Sequence, residues 1–595
     1  MALPVIAVAG AAAAAAYLDA KLHLRHDLAG GILSDPVAKA QAYIAQRQAL
    51  KRVLIYHLLE DNVLSSRAGN LFLEYEGRSW TYKQFYDSVQ RVGNWLMNDL
   101  GVRQGEMVAL NGPNSAEFLM IFFGLEAVGA HVAFTNCHLT GGPLVHSVKL
   151  AEARYMIADR DIRHLVEPCG DDLAKAAVET AYYDEASLAA LNDTTPIPAA
   201  RSASVLSSDV HALIYTSGTT GLPKGVMITA GRWINTARGT ADLLRLMPED
   251  KFYTCLPFYH GAGQGLCILP VIYAGASVRV GRKFSQPFGR RFASPKQTGY
   301  RPDVWNTFRR RFNIPVVHEL YAATDGMGSM YNRNRGDFSS GAIAVRGYLW
   351  HLKKGAIEVR AKIDPDTEDI VRDGDGFVIR ANAGEPGEVL HRIDPAMAEA
   401  AFKGYYGNPG ASQKRWLRGV FKPDDLFFRS GDVMRVDSDG RVYFVDRLGD
   451  TFRWKSENVS TNEVSDILGQ FDQIAECNVY GVSIPNADGR CGCATIVPAS
   501  STTLESFDFV RLYTHVAGKL PRYAVPLFLR VAPQLSYTGT FKIQKGQAKR
   551  EGVDLDLIEQ AGSKDSLYWL PPGGSAYVPF RREDWRALKA GDVKL

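Results

Sequence analysis

The stretch YTSGTTGLPKGV, Tyr215 to Val226, crowds four serine and threonine hydroxyls, three glycines and one lysine into a dozen residues. It follows the apolar run VHALI, which reads as a buried strand. After it comes a pattern with helical periodicity from about Ile228 onward. Strand, glycine-rich loop and helix in that order suggest an anion cradle. Glycines let backbone N–H groups turn toward a ligand, and successive N–H groups form a nest for phosphate oxygens. Thr216, Ser217, Thr219 and Thr220 add hydroxyl donors, Gly218 and Gly221 add freedom, and Lys224 adds a mobile positive charge. A polar surface turn is the plain alternative, but a turn needs no such density of donors. The loop is not a nucleotide P-loop, which requires glycine before the lysine and a hydroxyl residue after it. Here Pro223 precedes Lys224 and Gly225 follows.

The chain of 595 residues predicts more than one domain. It is 46% hydrophobic and 22% charged, enough for a large core. A net charge of +4, spread over many charges of both signs, gives no argument for a nucleic-acid partner. Seven scattered cysteines, with no His or Cys cluster around the Cys491–Cys493 pair, read as reduced thiols on the cytosolic side. The N-terminus differs. Leu3 to Leu18 carries no charge and is largely alanine. It is short for a spanning helix. A membrane anchor or re-entrant segment is the leading reading, over a signal peptide or a low-complexity tail. No other segment approaches spanning length.

From about residue 45 to 280, apolar strands alternate with helical patterns, as in MVALNG, SAEFLMIFFGLEAVG, HVAFTN and ARYMIADR. This is the rhythm of an α/β protein with a mostly parallel, helix-covered sheet. From about Gly341 to Val445 the segments shorten and turns multiply, which predicts a smaller antiparallel β region. Strands and helices mix again after Asp446. A domain boundary is expected near Asp446–Asp450.

Further stretches carry chemistry. YAATDG, Tyr321 to Gly326, offers an aromatic ring, a hydroxyl and a carboxylate after the strand-like IPVVHEL, at a strand end where ligands collect in open sheets. FFRSGD places Asp432 in a predicted turn. VDRLGDTFRWKSENVSTNEV is dense in charge at the expected boundary. YTGTFKIQK puts Lys542 near the C-terminal end. Each residue alone has a bland reading: Asp432 as a turn former, Lys542 as a solvated lysine, His260 as a satisfied core histidine. Their order along the chain is what raises them.

Together these stretches resemble the adenylate-forming, AMP-binding superfamily. FTNCHLTGGPLVHSVK, LPFYHGAG, RKFS, RPDVW, FRWKSENVSTNEV, LPRYAVPLFLRV, TGTFK and the tail YVPFRREDWRALKAGDVKL resemble, more narrowly, the fatty-acid transport protein and very-long-chain acyl-CoA synthetase family. The resemblance covers nearly the whole chain. It implies a large N-terminal AMP-binding domain of several subdomains, expected over 26–446 after a membrane-associated segment 1–25, and a smaller mobile α+β domain over 447–595. It implies a long- or very-long-chain fatty acid:CoA ligase that uses ATP, Mg²⁺ and CoA and works through an acyl-adenylate, coupled to fatty-acid uptake. The loop Thr216–Lys224 would hold the outgoing phosphates. Thr324 and Asp325 would sit by the metal and the phosphates. Tyr321 would stack near adenine, Asp432 would accept from the ribose hydroxyls, and Arg447 would also reach the nucleotide. Lys542 would neutralise charge as the carboxylate meets the α-phosphate, and His260 would line the acyl-carboxylate end. The C-terminal domain would swing about the segment near Arg447–Asp450 between two half-reactions.

The implied setting is the cytosolic face of the endoplasmic reticulum, plasma membrane, lipid droplet or peroxisome, held through the N-terminal segment. The ending Val593-Lys594-Leu595 is similar to a peroxisomal address with a bulky first residue. A homo-oligomer is compatible with the sequence. Two rival functions stand beside the leading one: a CoA ligase for another carboxylic acid, and a catalytically impaired lipid-uptake or lipid-binding protein.

Three departures from the family pattern bear on the choice. Asp325 stands where glutamate is usual, one methylene shorter but still able to ligate a hard cation. Ser456 stands where glycine is usual. Between Ser285 and Arg301 lie only the fifteen residues QPFGRRFASPKQTGY, where the family carries several dozen more. A lost exon, a mistaken gene model and a real short variant are the explanations.

Overall fold

The computed structural model describes residues 2–29, 31–216, 223–282, 302–364, 369–448, 452–454, 457–487, 489–537, 543–593 and 595. Its centre is a six-stranded sheet. The strand order is Glu179–Tyr183, Tyr155–Asp159, Met107–Asn111, His131–Thr135, Val210–Thr216, Lys224–Thr229. All neighbours are parallel except the last pair. The near-continuous apolar strands and the apolar helix Ala116–Ala127 are buried as such a sheet requires. Ser115 starts that helix by accepting from Phe118 N at 3.0 Å.

A four-stranded sheet packs beside it in the order Arg78–Thr81, Leu71–Tyr75, Ser277–Val280, Lys251–Thr254. Val317–Tyr321 and Met330–Asn334 form an antiparallel pair. The short-segment region is the antiparallel sheet the sequence predicts. Its order is Ala344–Val345, Arg441–Arg447, Leu426–Val436, Gly387–Ile393, Glu358–Lys362, with Trp416–Arg418 beside the long central strand. Beyond it lies a five-stranded sheet from Ile474–Val482 to Val578–Pro579. The two large cores share no residue. One runs from Val53 to Phe428, the other from Phe452 to Leu588. This matches an α/β protein with a smaller mixed unit at the C-terminal end.

The opening motif departs from expectation. Lys224–Thr229 is a strand paired antiparallel to Val210–Thr216, and the helix starts only at Ala230. Val226, Ile228 and Thr229 are β-branched and fit a pleated surface. Thr229 then ends the strand by capping the helix, its hydroxyl accepting from Arg232 N at 3.2 Å. A second strand, and not a helix, is therefore the next described element after Val210–Thr216. The apolar N-terminal run lies in the helix Ala2–Leu22. Among the described residues no helix is long and apolar enough to cross a membrane.

Candidate active site

Asp432 and Arg447 face each other across the strands Leu426–Val436 and Arg441–Arg447. Arg447 Nε donates to Asp432 Oδ1 at 2.9 Å, and Tyr321 Oη donates to Asp432 Oδ2. Asp432 is thus buried within a strand, not in the turn that its Arg-Ser-Gly-Asp setting predicts. Neighbouring strands on both edges hold this stretch extended. Its turn chemistry survives only as a kink. Gly431 has φ +70°, and the register slips between Val433 and Met434. Gly431 N donates to the fully buried Glu388 at 3.1 Å, which also takes two bonds from the Arg429 guanidinium. Burial, and then the Asp432 carboxylate, drive the Tyr321 phenol well above its ordinary range. Tyr321 therefore acts here as a donor.

Asp325 sits in a second cluster. It is buried, and its Oδ2 accepts from both Tyr405 Oη and Arg415 Nη2. Arg415 Nε also donates to Tyr405 Oη at 3.1 Å, and Arg415 Nη1 to the carbonyls of Arg429 and Ser430 at 3.1 and 3.0 Å. Burial alone would raise the Asp325 carboxyl. Arg415 and Tyr405 overcome it and hold that carboxyl below the ordinary range. Tyr405 is pushed up to about 12 by burial and by Asp325. Lys224 Nζ lies 5.5 Å from the centre of the Tyr405 ring. These contacts exist because residues 404–406 bind along the Lys224–Thr229 strand. Met227 N donates to Gly404 O at 3.2 Å and Tyr406 N to Gly225 O at 2.8 Å.

The cavity these clusters border has a volume of about 2530 Å³. His260, Tyr321, Thr324, Asp432 and Arg447 all line it, and Asp325 lies behind that wall. The Thr324 carbonyl accepts from Arg232 Nη2 at 2.8 Å. Gly261 packs so closely on Thr324 that a Cβ there would stand 3.4 Å from its hydroxyl. His260 Nδ1 accepts from Ala262 N at 3.2 Å, which fixes the ring's orientation. Thr216 pairs directly with Lys224 across the two strands. Ser217, Gly218, Thr219, Thr220, Gly221, Ser456 and Lys542 lie outside the described residues.

Sequence reasoning missed Tyr405, Arg415 and Arg232. Nothing local marks them, because a tyrosine in FKGYYGNP and an arginine in QKRW are ordinary surface residues until distant strands bring them together. Arg232 lines the cavity from the helix Ala230–Leu244. Burial lowers its affinity for its proton, and the Asp325 carboxylate partly restores it.

A profile of the AMP-binding enzymes matches residues 59–294, and one of their C-terminal domain matches 463–542. A very long-chain fatty acid transport protein of Cochliobolus heterostrophus is 46% identical over 629 aligned positions, covering 100% of this chain and 97% of the relative. The chain belongs to the AMP-binding enzymes, in their fatty acid transport protein family. It is an acid–thiol ligase by that membership. An isopenicillin N epimerase component 1 of Hapsidospora chrysogena is 34% identical, covering 98% and 97% of the two chains. A medium/long-chain-fatty-acid–CoA ligase of Mycobacterium tuberculosis is 32% identical, covering 86% and 87%. Among solved structures, an anthranilate CoA ligase with anthranoyl-AMP superposes with TM-score 0.67 at 22% identity, over 86% of this chain and 98% of that one. That likeness speaks to the fold. The 629 aligned positions exceed the 595 residues of this chain, so the Cochliobolus protein carries residues with no counterpart here.

Proposed function

We propose that this chain activates long- or very-long-chain fatty acids in two half-reactions. The fatty-acid carboxylate attacks the α-phosphorus of ATP, the bond to pyrophosphate breaks, and an acyl-adenylate forms. The CoA thiol then attacks the acyl carbonyl, loses its proton, and expels AMP. The supporting observation is that Asp432, Arg447, Tyr321, His260, Arg232 and Thr324 all line one cavity. In this reading Asp432 accepts from the ribose hydroxyls. Arg447 and Arg232 would supply positive charge to the phosphate and the carboxylate as they meet. In this reading a Mg²⁺ ion held mainly by nucleotide phosphates would draw on Asp325 through Oδ1, since Arg415 and Tyr405 engage Oδ2, although the carboxylate lies behind the cavity wall. Bound there, the metal would neutralise the departing pyrophosphate.

In this reading the domains are 26–446 and 447–595, and the smaller one carries Lys542 to the carboxylate. The protein works on the cytosolic face of a membrane, with 1–25 at the lipid. Val593 and Leu595 pack against the C-terminal core, so the tail would have to detach before a peroxisomal receptor could read it. The second reading, a lipid-binding protein with impaired catalysis, is favoured by one observation: the fifteen residues between Ser285 and Arg301.

The deciding experiment is fatty-acid-dependent pyrophosphate release from Mg·ATP without CoA, across chain lengths. Release that falls by about 100-fold or more in Lys542→Ala supports the ligase. A folded protein that binds fatty acid and releases no pyrophosphate supports the second reading.

A further inference from the structure

The cavity does not end at the catalytic wall. Its lining continues to Arg25, Gly31, Ile32 and Val37 of the N-terminal segment, and to Trp350 and Lys354 of the helix Tyr348–Lys354. These two elements are welded together. Asp27 is buried, and its two oxygens accept from Gly347 N and Trp350 N, each at 2.9 Å. It thereby caps a helix some 320 residues away in the chain. The fit is close on the other side too. A Cβ on Gly347 would stand 2.5 Å from Asp27 Oδ2 and 2.8 Å from the Leu22 carbonyl, where the helix Ala2–Leu22 ends. The His23 ring lies 5.1 Å from that of Phe338.

The outer face of this assembly is apolar and basic. Tyr348 and Leu352, one helical turn apart, are 51% and 66% exposed. Leu28, Leu33 and Val37 of the N-terminal segment that packs on this helix are exposed too, Leu33 at 68%. Lys21, Lys39 and Lys353 are exposed as well. The acidic side chains of this stretch are already engaged. Asp19 pairs with Arg25, Asp27 is buried, and Asp35 caps the helix Pro36–Ala49. The Asp35 carboxyl is held down first by the Ala38 N–H, against a little burial, then by Val37 N–H, Lys354 and Lys353, which puts these two lysines in the same neighbourhood.

We propose that this face is a docking surface for the interfacial layer of an anionic bilayer, and that it seats the cavity mouth on the lipid. Leucines and a tyrosine beside lysines are the composition such a layer selects, with apolar groups entering the acyl boundary and ammonium groups meeting the phosphates. A fatty acid would then pass from the bilayer to Thr324 and His260 without crossing water. The idea that the cavity receives a fatty acid rests on the ligase reading above; the docking surface does not.

The test uses the full chain and vesicles of phosphatidylcholine with or without phosphatidylserine. In co-flotation the wild type binds the anionic vesicles, and binding weakens with salt. The double variant Tyr348→Asp/Leu352→Asp binds about tenfold less, as does Lys21→Glu/Lys353→Glu. The same variants turn over vesicle-embedded fatty acid about tenfold more slowly, and albumin-delivered fatty acid at the wild-type rate. Wild-type flotation by both variants overturns the surface and leaves binding to the Ala2–Leu22 helix. So does equal, salt-insensitive binding to neutral and anionic vesicles. Should the apolar variant fail to fold, the charge-reversal variant and the salt series still decide. Flotation needs no catalysis, so altered flotation in a protein without ligase activity would sink the ligase reading and keep the surface.

Discussion

Two strands of equal length make an instructive pair. Tyr155–Asp159 is buried at all five positions, and Val317–Tyr321 has none of its five fully buried. The first, YMIAD, is apolar up to its last residue, whereas the second, VHELY, carries His318 and Glu319 between its apolar residues. The first has a parallel neighbour on each edge, Met107–Asn111 and Glu179–Tyr183. The second pairs, among the described residues, with Met330–Asn334 alone. Two strands of one length are therefore supported very differently. The candidate-site stretch Tyr-Ala-Ala-Thr-Asp is carried by the less supported of the two.

If support is what differs, equal truncations should cost unequal amounts. Ile157→Ala, from a fully buried position, is expected to destabilise by about 3–4 kcal/mol, and Leu320→Ala by about 1 kcal/mol. Hydrogen exchange of the full-length protein reads each strand separately. Equal losses would break the comparison.

The site stands on the weaker strand, so its geometry must come from elsewhere. Asp432, on the antiparallel sheet, holds Tyr321 by its hydroxyl and Arg447 by its guanidinium. Asp432→Asn keeps the shape and removes the charge. It is expected to lower kcat/KM for ATP about 100-fold. A fall in thermal stability with an unchanged KM for ATP would make the residue a strut and not part of the site. Arg415→Met is expected to do less, about tenfold, and to show itself in pH. Without the guanidinium, burial raises the Asp325 carboxyl. The acid limb of kcat/KM should then move to higher pH. An unmoved limb would mean that Asp325 does not titrate in the reaction.

Much of this architecture was legible in the residues. The α/β alternation, the antiparallel region and the mixed C-terminal unit follow from period and turn chemistry, which are local. Tyr321, Thr324, Asp432, Arg447 and His260 were named from motifs, and they do line one cavity. What local chemistry could not settle was which neighbour a segment meets. Gly431 and Asp432 read as a turn until two flanking strands are known. Ile228 and Thr229 read as the start of a helix until their partner strand Val210–Thr216 is in place. Tyr405 and Arg415 gain their meaning only from strands that lie far away in sequence. The cap that Asp27 provides to residues 347–350 was illegible for the same reason.

The better-supported strand carries a cost of its own, and this gives the smallest expected effect. Asp159 ends Tyr155–Asp159, buried at 7% exposure, and burial raises its carboxyl to about 6 despite a hydrogen bond from Asp161 N. The ordinary value is 3.8. Between those two values the folded protein binds more protons than the unfolded chain. Stability from this group therefore falls as pH rises from about 4 to about 6, and stays low above that. Asp159→Asn keeps an oxygen for Asp161 N and carries no charge to desolvate. It is expected to stabilise the protein by about 1–2 kcal/mol near neutral pH, with the gain vanishing toward pH 4. Denaturation midpoints taken across that range check the slope. A gain independent of pH would assign the effect to packing. A loss at neutral pH would show that the ionised carboxylate has a partner that rewards it, and that the fully buried strand is not paying for its burial at this residue.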